Sequence, residues 1–239
     1  MKVKIYNDIL NPTIWENGKL KPEIKEKLLQ IGKDFYADTE TDAPLKDVLF
    51  VGSLANYNWS DTSDFDVHLV IDFKDVDENV ELVEKLVNAL KSKWNDEHDI
   101  HLKGHNVEVY IQDVTKENRS TGVYSLMQDK WLSEPQKENV EVDKEKIQEK
   151  YNDIVRRIES GIKSQDITKL KSIVKDIYDM RQAGLDKSGE LSTENLVFKI
   201  LRTRKHLENL KQAIINLYRS EEHTSELQSQ STISYAVFC

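Results

Sequence analysis

The stretch Val51-Gly52-Ser53-Leu54-Ala55-Asn56-Tyr57-Asn58-Trp59-Ser60-Asp61-Thr62-Ser63-Asp64-Phe65-Asp66-Val67 decides how this chain is read. Asp64 and Asp66 stand two residues apart at the head of an alternating run. A strand there turns both carboxylates to one face and Phe65 and Val67 into the core. Two neighbouring carboxylates repel unless a cation binds between them, and hard oxygen donors of this kind suit Mg²⁺. A solvated strand end would carry the same pair. Gly52-Ser53 closes the apolar run Asp47-Val48-Leu49-Phe50-Val51; a residue without a Cβ lets backbone amides approach a phosphate, and the serine hydroxyl adds a donor. A plain turn has that composition too. Farther on, Val107-Glu108-Val109 sets a third carboxylate in an apolar strand, on the face opposite its valines, where ordinary solvent-facing alternation would also put it.

Working outward, Lys21-Pro22 opens a helical pattern in which Ile24, Leu28, Ile31 and Phe35 recur at three- and four-residue steps, predicting a helix to about Tyr36. Asp47 to Val51 and Phe65 to Phe73 read as buried strands. Leu82, Val83, Leu86, Val87, Leu90 and Trp94 make one helical face between Glu78 and Trp94, and Asn106 to Gln112 alternates as a strand. The order helix, strand, strand, helix, strand predicts an α+β module over residues 1–135. Beyond Glu134-Pro135, residues 136–218 hold three amphipathic patterns: Ile147 to Ile162, Ile167 to Met180, and Leu196 to Leu217. They predict an α-helical C-terminal bundle, with Gly184 to Ser192 as a turn.

The 239 residues include 34 Lys+Arg and 43 Asp+Glu, a formal net charge of -9, with 38% hydrophobic and 32% charged residues. That balance argues against a protein whose main task is to grip duplex DNA by its phosphates. The charge-free stretch Val48 to Ser60 is too short and too polar to cross a bilayer, so no membrane partner is expected. The start of the chain lacks a secretory segment and the lone cysteine forms no internal disulfide, which makes the cytoplasm the expected compartment. From Arg219 the chain reads RSEEHTSELQS, three residues, then ISYAVFC. This resembles one reading frame of a common DNA-sequencing library adapter, so residues 219–239 are expected to be read-through and the natural C-terminus to lie beyond about Tyr218. Cys239 and His223 then leave the functional argument. Without Arg219, Glu221, Glu222 and Glu226 the count is 33 basic and 40 acidic residues, and no cysteine remains for thiol chemistry or zinc.

Taken as an ordered set, Gly-Ser after a strand, Asp-x-Asp at a strand start and an acid on a later strand resemble the nucleotidyltransferase superfamily typified by DNA polymerase beta. The likeness runs from about Val48 to Asp113. Leu10-Asn11-Pro12, Gly122 to Ser125 and Gly189 to Lys199 resemble segments of predicted nucleotidyltransferases encoded by tailed bacteriophages, which would make the compartment a host cytoplasm. The chain departs from the pattern at Asn56-Tyr57, where many members carry Arg-Gly, and its spacer to Asp64 is about a residue longer. The resemblance implies a small mixed sheet with flanking helices in which Asp64, Asp66 and Glu108 hold two Mg²⁺ ions. Glu108 completes the coordination of the second ion and accepts a proton, and Gly52 and Ser53 hold the triphosphate of an NTP. The acceptor stays open among an RNA end, a small molecule and a protein hydroxyl. Asp-x-Asp also serves metal-dependent glycosyltransferases, and a catalytically inactive nucleotide-binding module would carry the same residues.

His98, His101 and His105 fit no zinc spacing. His68 faces the same side as Asp66 by strand alternation and is placed either to touch substrate or to pack. Tyr57 and Trp59 could stack on a base or fill a sheet edge. Asn195, Lys199 and Arg202 recur at helical spacing, so Lys199 or Arg202 is expected to neutralise phosphate charge or orient the acceptor, against the alternative of a solvated face.

Overall fold

The computed structural model describes residues 6–118, 120–137 and 142–220, and they fall into two compact units, one ending at residue 137 and one beginning at 142. The first unit is built on a mixed sheet. In chain order its elements are a hairpin of β1 (Trp15–Glu16) and β2 (Lys19–Leu20), α1 (Pro22–Asp38), β3 (Asp47–Val51), β4 (Phe65–Ile71), α2 (Val80–Glu97), β5 (His101–Leu102), β6 (His105–Asp113), β7 (Val123–Ser125) and β8 (Lys130–Ser133). The six-stranded sheet runs β5-β6-β4-β3-β7-β8; β4 and β6 are parallel and every other pairing is antiparallel. The β4-β6 pair is parallel because α2 crosses over between them and returns the chain to the same sheet end.

Alternation along β4 puts Phe65, Val67 and Leu69 on one face, joined there by Val48, Phe50, Val107 and Val109, all essentially fully buried. Helix α1 covers this face with Ile24, Leu28 and Phe35. The fit is close at Gly32, where an added Cβ would lie 3.4 Å from Val48 Cγ1. Helix α2 adds Trp94 to that core and sets Val83 and Val87 against Ile71 and Phe73. Its Asn95 amide pairs with both backbone groups of Val109 at 3.1 Å, satisfying β6 where no strand flanks it. The six apolar positions of α2 do not form one buried face as expected. Leu82 is 57% and Leu86 49% exposed, because the stripe that meets the sheet is narrower than the apolar arc of the helix.

The β1-β2 hairpin was not read from the sequence, although Asn17-Gly18 is its signal; both residues have positive φ, 50° and 75°, as a type I′ turn needs. It delivers Trp15 to the core, stacked on Trp131 at 4.6 Å and donating from Nε1 to Leu54 O at 2.8 Å.

The second unit consists of α3 (Lys144–Ser164), α4 (Ile167–Ser188), α5 (Thr193–Thr203) and a helix over residues 206–220. Asp143, Asp166 and Ser192 cap the first three by accepting from the backbone three residues on. Ile147, Ile154, Ile158, Leu170, Ile177, Val197, Leu201 and Leu210 form its core. Two expectations are corrected here. The stretch from Gly184 is helical through Ser188, since Gly184 is a packing glycine whose added Cβ would lie 2.5 Å from Glu194 Cβ. The third amphipathic pattern is two helices, broken at Arg204-Lys205, where Lys205 takes φ 61°. The tail read as adapter lies outside the described residues from 221 onward, while 219 and 220 continue the last helix.

Candidate functional site

The sheet face opposite α1 carries the polar row. Strand register aligns Val51 with Asp66 and Asp66 with Glu108, so two acids 42 residues apart in sequence become direct neighbours across parallel strands. Asp64 stands just before β4. Burial raises the Tyr110 hydroxyl pKa, and the negative fields of Asp66, Glu108 and Asp64 raise it further, so all three carboxylates lie within electrostatic reach of that hydroxyl. Tyr110 donates its hydrogen bond to Glu108 Oε2. As they stand, the acids do not converge on one point: among the described residues no group of three His, Cys, Asp or Glu side chains is placed to hold a metal ion. The donor chemistry nevertheless suits a hard divalent cation, being carboxylate oxygen throughout.

Gly52 lies against the Asp66 side chain. Its backbone adopts φ 77°, ψ -166°, a conformation essentially reserved for glycine. A Cβ there would lie 1.8 Å from Asp66 Oδ2 and 2.8 Å from its Cγ, so the carboxylate packs where that side chain would be. Ser53 is 9% exposed, and its hydroxyl donates to Ser63 Oγ at 2.7 Å, tying the end of β3 to the residue before Asp64. His105 Nδ1 donates to Ser63 O at 2.7 Å, which makes this buried histidine a brace for the loop.

Asn56, at the departure from the family pattern, is a hub. Its Nδ2 donates to Gly52 O at 2.7 Å and to Ser120 Oγ at 2.8 Å, and its Oδ1 accepts from Gly122 N at 2.8 Å. Gly122 must be small, since an added Cβ would lie 2.2 Å from Ala55 O. The N-terminal segment straps the outer part of the loop: Asn7 N donates to Tyr57 O and Asn7 Nδ2 to Trp59 O, each at 2.7 Å, while Trp59 Nε1 donates to Ile9 O at 3.0 Å. The Lys137 ammonium sits 4.7 Å from the Tyr57 ring centroid. Both aromatics are thus engaged in packing the loop.

One register step along, Leu49, His68 and Tyr110 align. His68 Nδ1 lies 2.7 Å from Gln112 Oε1, and its ring is 5.0 Å from that of Tyr110. Burial lowers the His68 pKa, and the nearby charges of Lys116 and Lys91 lower it further against the Gln112 hydrogen bond. Lys91, which no sequence motif marks, reaches from α2 to sit 4.4 Å from the Tyr110 ring centroid. The other histidines do not gather: His98 stacks on Trp94 at 4.3 Å, and His101 faces Asp99 at the surface.

In the helical unit, Asn195 is buried. It donates from Nδ2 to Glu190 O at 2.7 Å and accepts from Arg181 Nε at 3.3 Å, so it is a structural clamp. Lys199 pairs with Glu190 at 3.2 Å, and Arg202 is half-buried on the same helix.

No family model matches this sequence, and no curated protein matches it. Among solved structures it is similar to that of a STING-associated CdnE c-di-GMP synthase from Capnocytophaga granulosa, at 16% identity over 89% of this chain and 84% of that one, with a TM-score of 0.20. At that level of likeness the functional reading falls to the site geometry.

Proposed function

We propose that this chain is a nucleotidyltransferase that moves a nucleotidyl group from an NTP to a hydroxyl acceptor. The observation that supports it most is the alignment of Asp66 with Glu108 beside a glycine whose missing Cβ is replaced by the Asp66 carboxylate. A solvated strand end has no need of such a cradle.

In this reading Asp64, Asp66 and Glu108 hold two Mg²⁺ ions, which supply charge neutralisation for the phosphates and a lowered pKa for the attacking hydroxyl. Gly52 presents backbone to the triphosphate, and Ser53 positions that turn through Ser63 and can exchange its hydrogen bond for a phosphate oxygen. The acceptor oxygen bonds to the α-phosphorus, the bond from phosphorus to the bridging oxygen breaks and pyrophosphate leaves. The hydroxyl proton passes to Glu108, whose Tyr110 hydrogen bond keeps one carboxylate oxygen oriented. Lys199 and Arg202 are proposed as the positive charge that the helical unit offers to a phosphate or acceptor, Lys199 by exchanging Glu190 for that ligand.

The test is incubation with each α-labelled NTP, Mg²⁺ and a pool of acceptors. Asp64→Asn and Asp66→Asn are expected to abolish labelling while keeping or slightly raising the melting temperature, because each relieves carboxylate repulsion. Retained labelling in both variants overturns the assignment. Replacing Lys199 and Arg202 together by Gln is expected to raise KM; unchanged kcat and KM would remove them from the site.

A further inference from the structure

We infer that His68 and Lys91 form the acceptor subsite, and that the acceptor is a phosphorylated polyol, the chemistry shared by sugar phosphates and nucleoside monophosphates. The inference rests on the nucleotidyl-transfer reading and adds to it the class of the second substrate.

His68 lies one register step from Asp66 on the same sheet face. Its tautomer follows from its neighbours. Gln112 Nε2 donates to Lys116 O at 2.7 Å, so Gln112 Oε1 is the group that meets His68 Nδ1, and Nδ1 must carry the proton. Nε2 is then a lone-pair acceptor, and among the described residues it has no partner. It suits a hydroxyl donor on a ligand lying along the sheet.

Charge supplies the second half. Two lysines stand close to His68: Lys116, whose carbonyl accepts from the Gln112 that meets the imidazole, and Lys91, over the Tyr110 ring that lies 5.0 Å from it. Lys116 is paired with Glu84 at 3.1 Å, whereas Lys91 has no carboxylate partner among the described residues and rests over the Tyr110 ring. An aromatic face holds an ammonium in place without neutralising it. A lysine held over a ring rather than in an ion pair is available to an anion brought in by a ligand. A hydroxyl donor for His68 and an anion for Lys91 on one small molecule describe a phosphorylated polyol. One of its hydroxyls attacks the α-phosphorus and gives its proton to Glu108, as in the transfer step above, while another donates to His68.

The test compares ribose 5-phosphate, AMP, ribose and adenosine. Each is titrated calorimetrically into the full chain, and each is offered as acceptor with α-labelled NTP and Mg²⁺. The two phosphates are expected to bind and to become labelled, and the two neutral compounds to do neither. Preference between ribose 5-phosphate and AMP then separates the two sources. Lys91→Met, which keeps the stem over the Tyr110 ring, is expected to weaken phosphate-compound binding and raise the acceptor KM at least tenfold, with the KM for NTP within twofold; Lys91→Arg restores most of it. His68→Gln is expected to raise the acceptor KM for both phosphates. Equal labelling of neutral and phosphorylated acceptors, or an acceptor KM indifferent to Lys91→Met, overturns the subsite and leaves nucleotidyl transfer standing. Lys91-dependent binding without transfer from any NTP leaves the phosphate site standing and overturns the transfer reading.

Discussion

Gly52→Ala is the most direct probe of the site, because both of its costs can be worked from the geometry. The backbone at φ 77°, ψ -166° belongs to a region that costs a residue with a side chain about 1–3 kcal/mol. The new Cβ would also lie 1.8 Å from Asp66 Oδ2, 2.8 Å from Cγ and 3.1 Å from Cβ. Turning the carboxylate relieves only the first of these, so strand β4 or the turn itself must shift, adding about 1–3 kcal/mol of overpacking. The sum predicts a loss of roughly 2–6 kcal/mol in the sheet unit. All four tryptophans, Trp15, Trp59, Trp94 and Trp131, lie in that unit, so urea unfolding followed by tryptophan fluorescence reads it selectively. A double-mutant cycle then separates the two costs. Asp66→Ala removes Oδ2 and Cγ, so the double variant should pay the backbone cost without most of the overlap, giving a coupling of about 1–2 kcal/mol. A single-variant loss under about 1 kcal/mol, or no coupling, would refute the cradle.

Three further outcomes are expected. Gly184→Ala should destabilise the helical unit by about 1–3 kcal/mol, although alanine is the better helix former by about 1 kcal/mol, because its Cβ would meet Glu194 Cβ at 2.5 Å and Ser192 Oγ at 2.7 Å; stabilisation in thermal melts followed by circular dichroism would sink the packing argument. The Lys150 hydrogen bond holds the Glu194 carboxyl below its ordinary range against partial burial, so its contribution is present above the unfolded pKa and lost as pH falls through the folded one. With the Glu194 side chain 27% exposed, it amounts to about 0.5–1 kcal/mol, and the stability gap between the wild type and Glu194→Gln should close between about pH 5 and pH 2; a gap constant across that window would contradict it. Removing residues 219–239 should leave the melting temperature and any transfer activity unchanged, and a marked loss of folding would show the tail to be part of the native chain.

Local pattern settled a good deal of this protein. The short buried runs at Asp47–Val51 and Phe65–Ile71, the alternation at His105–Asp113 and the spaced aliphatics of α1, α3 and α4 are signals carried within a few residues, and the mixed sheet followed by a helical region was legible from them. That Asp66 and His68 share a face follows from the two-residue repeat of a strand alone. Everything that depends on residues far apart in sequence had to wait for the fold. The alignment of Asp66 with Glu108 is a matter of parallel register, which no local spacing encodes. Strands β5, β7 and β8 are too short to show periodicity and exist because their neighbours offer backbone partners. Asn56 looked like a departure from a pattern until Gly122 came within hydrogen-bonding distance of it, and His105, which fits no zinc spacing, proves to donate a hydrogen bond to the Ser63 carbonyl. Lys91 carries no signal in sequence at all: whether a lysine on a helix is solvated or poised beside a site depends on which side chains it meets, and those lie on another strand. Secondary structure answers to neighbours along the chain, whereas a site answers to neighbours in space, and only packing brings the second kind together.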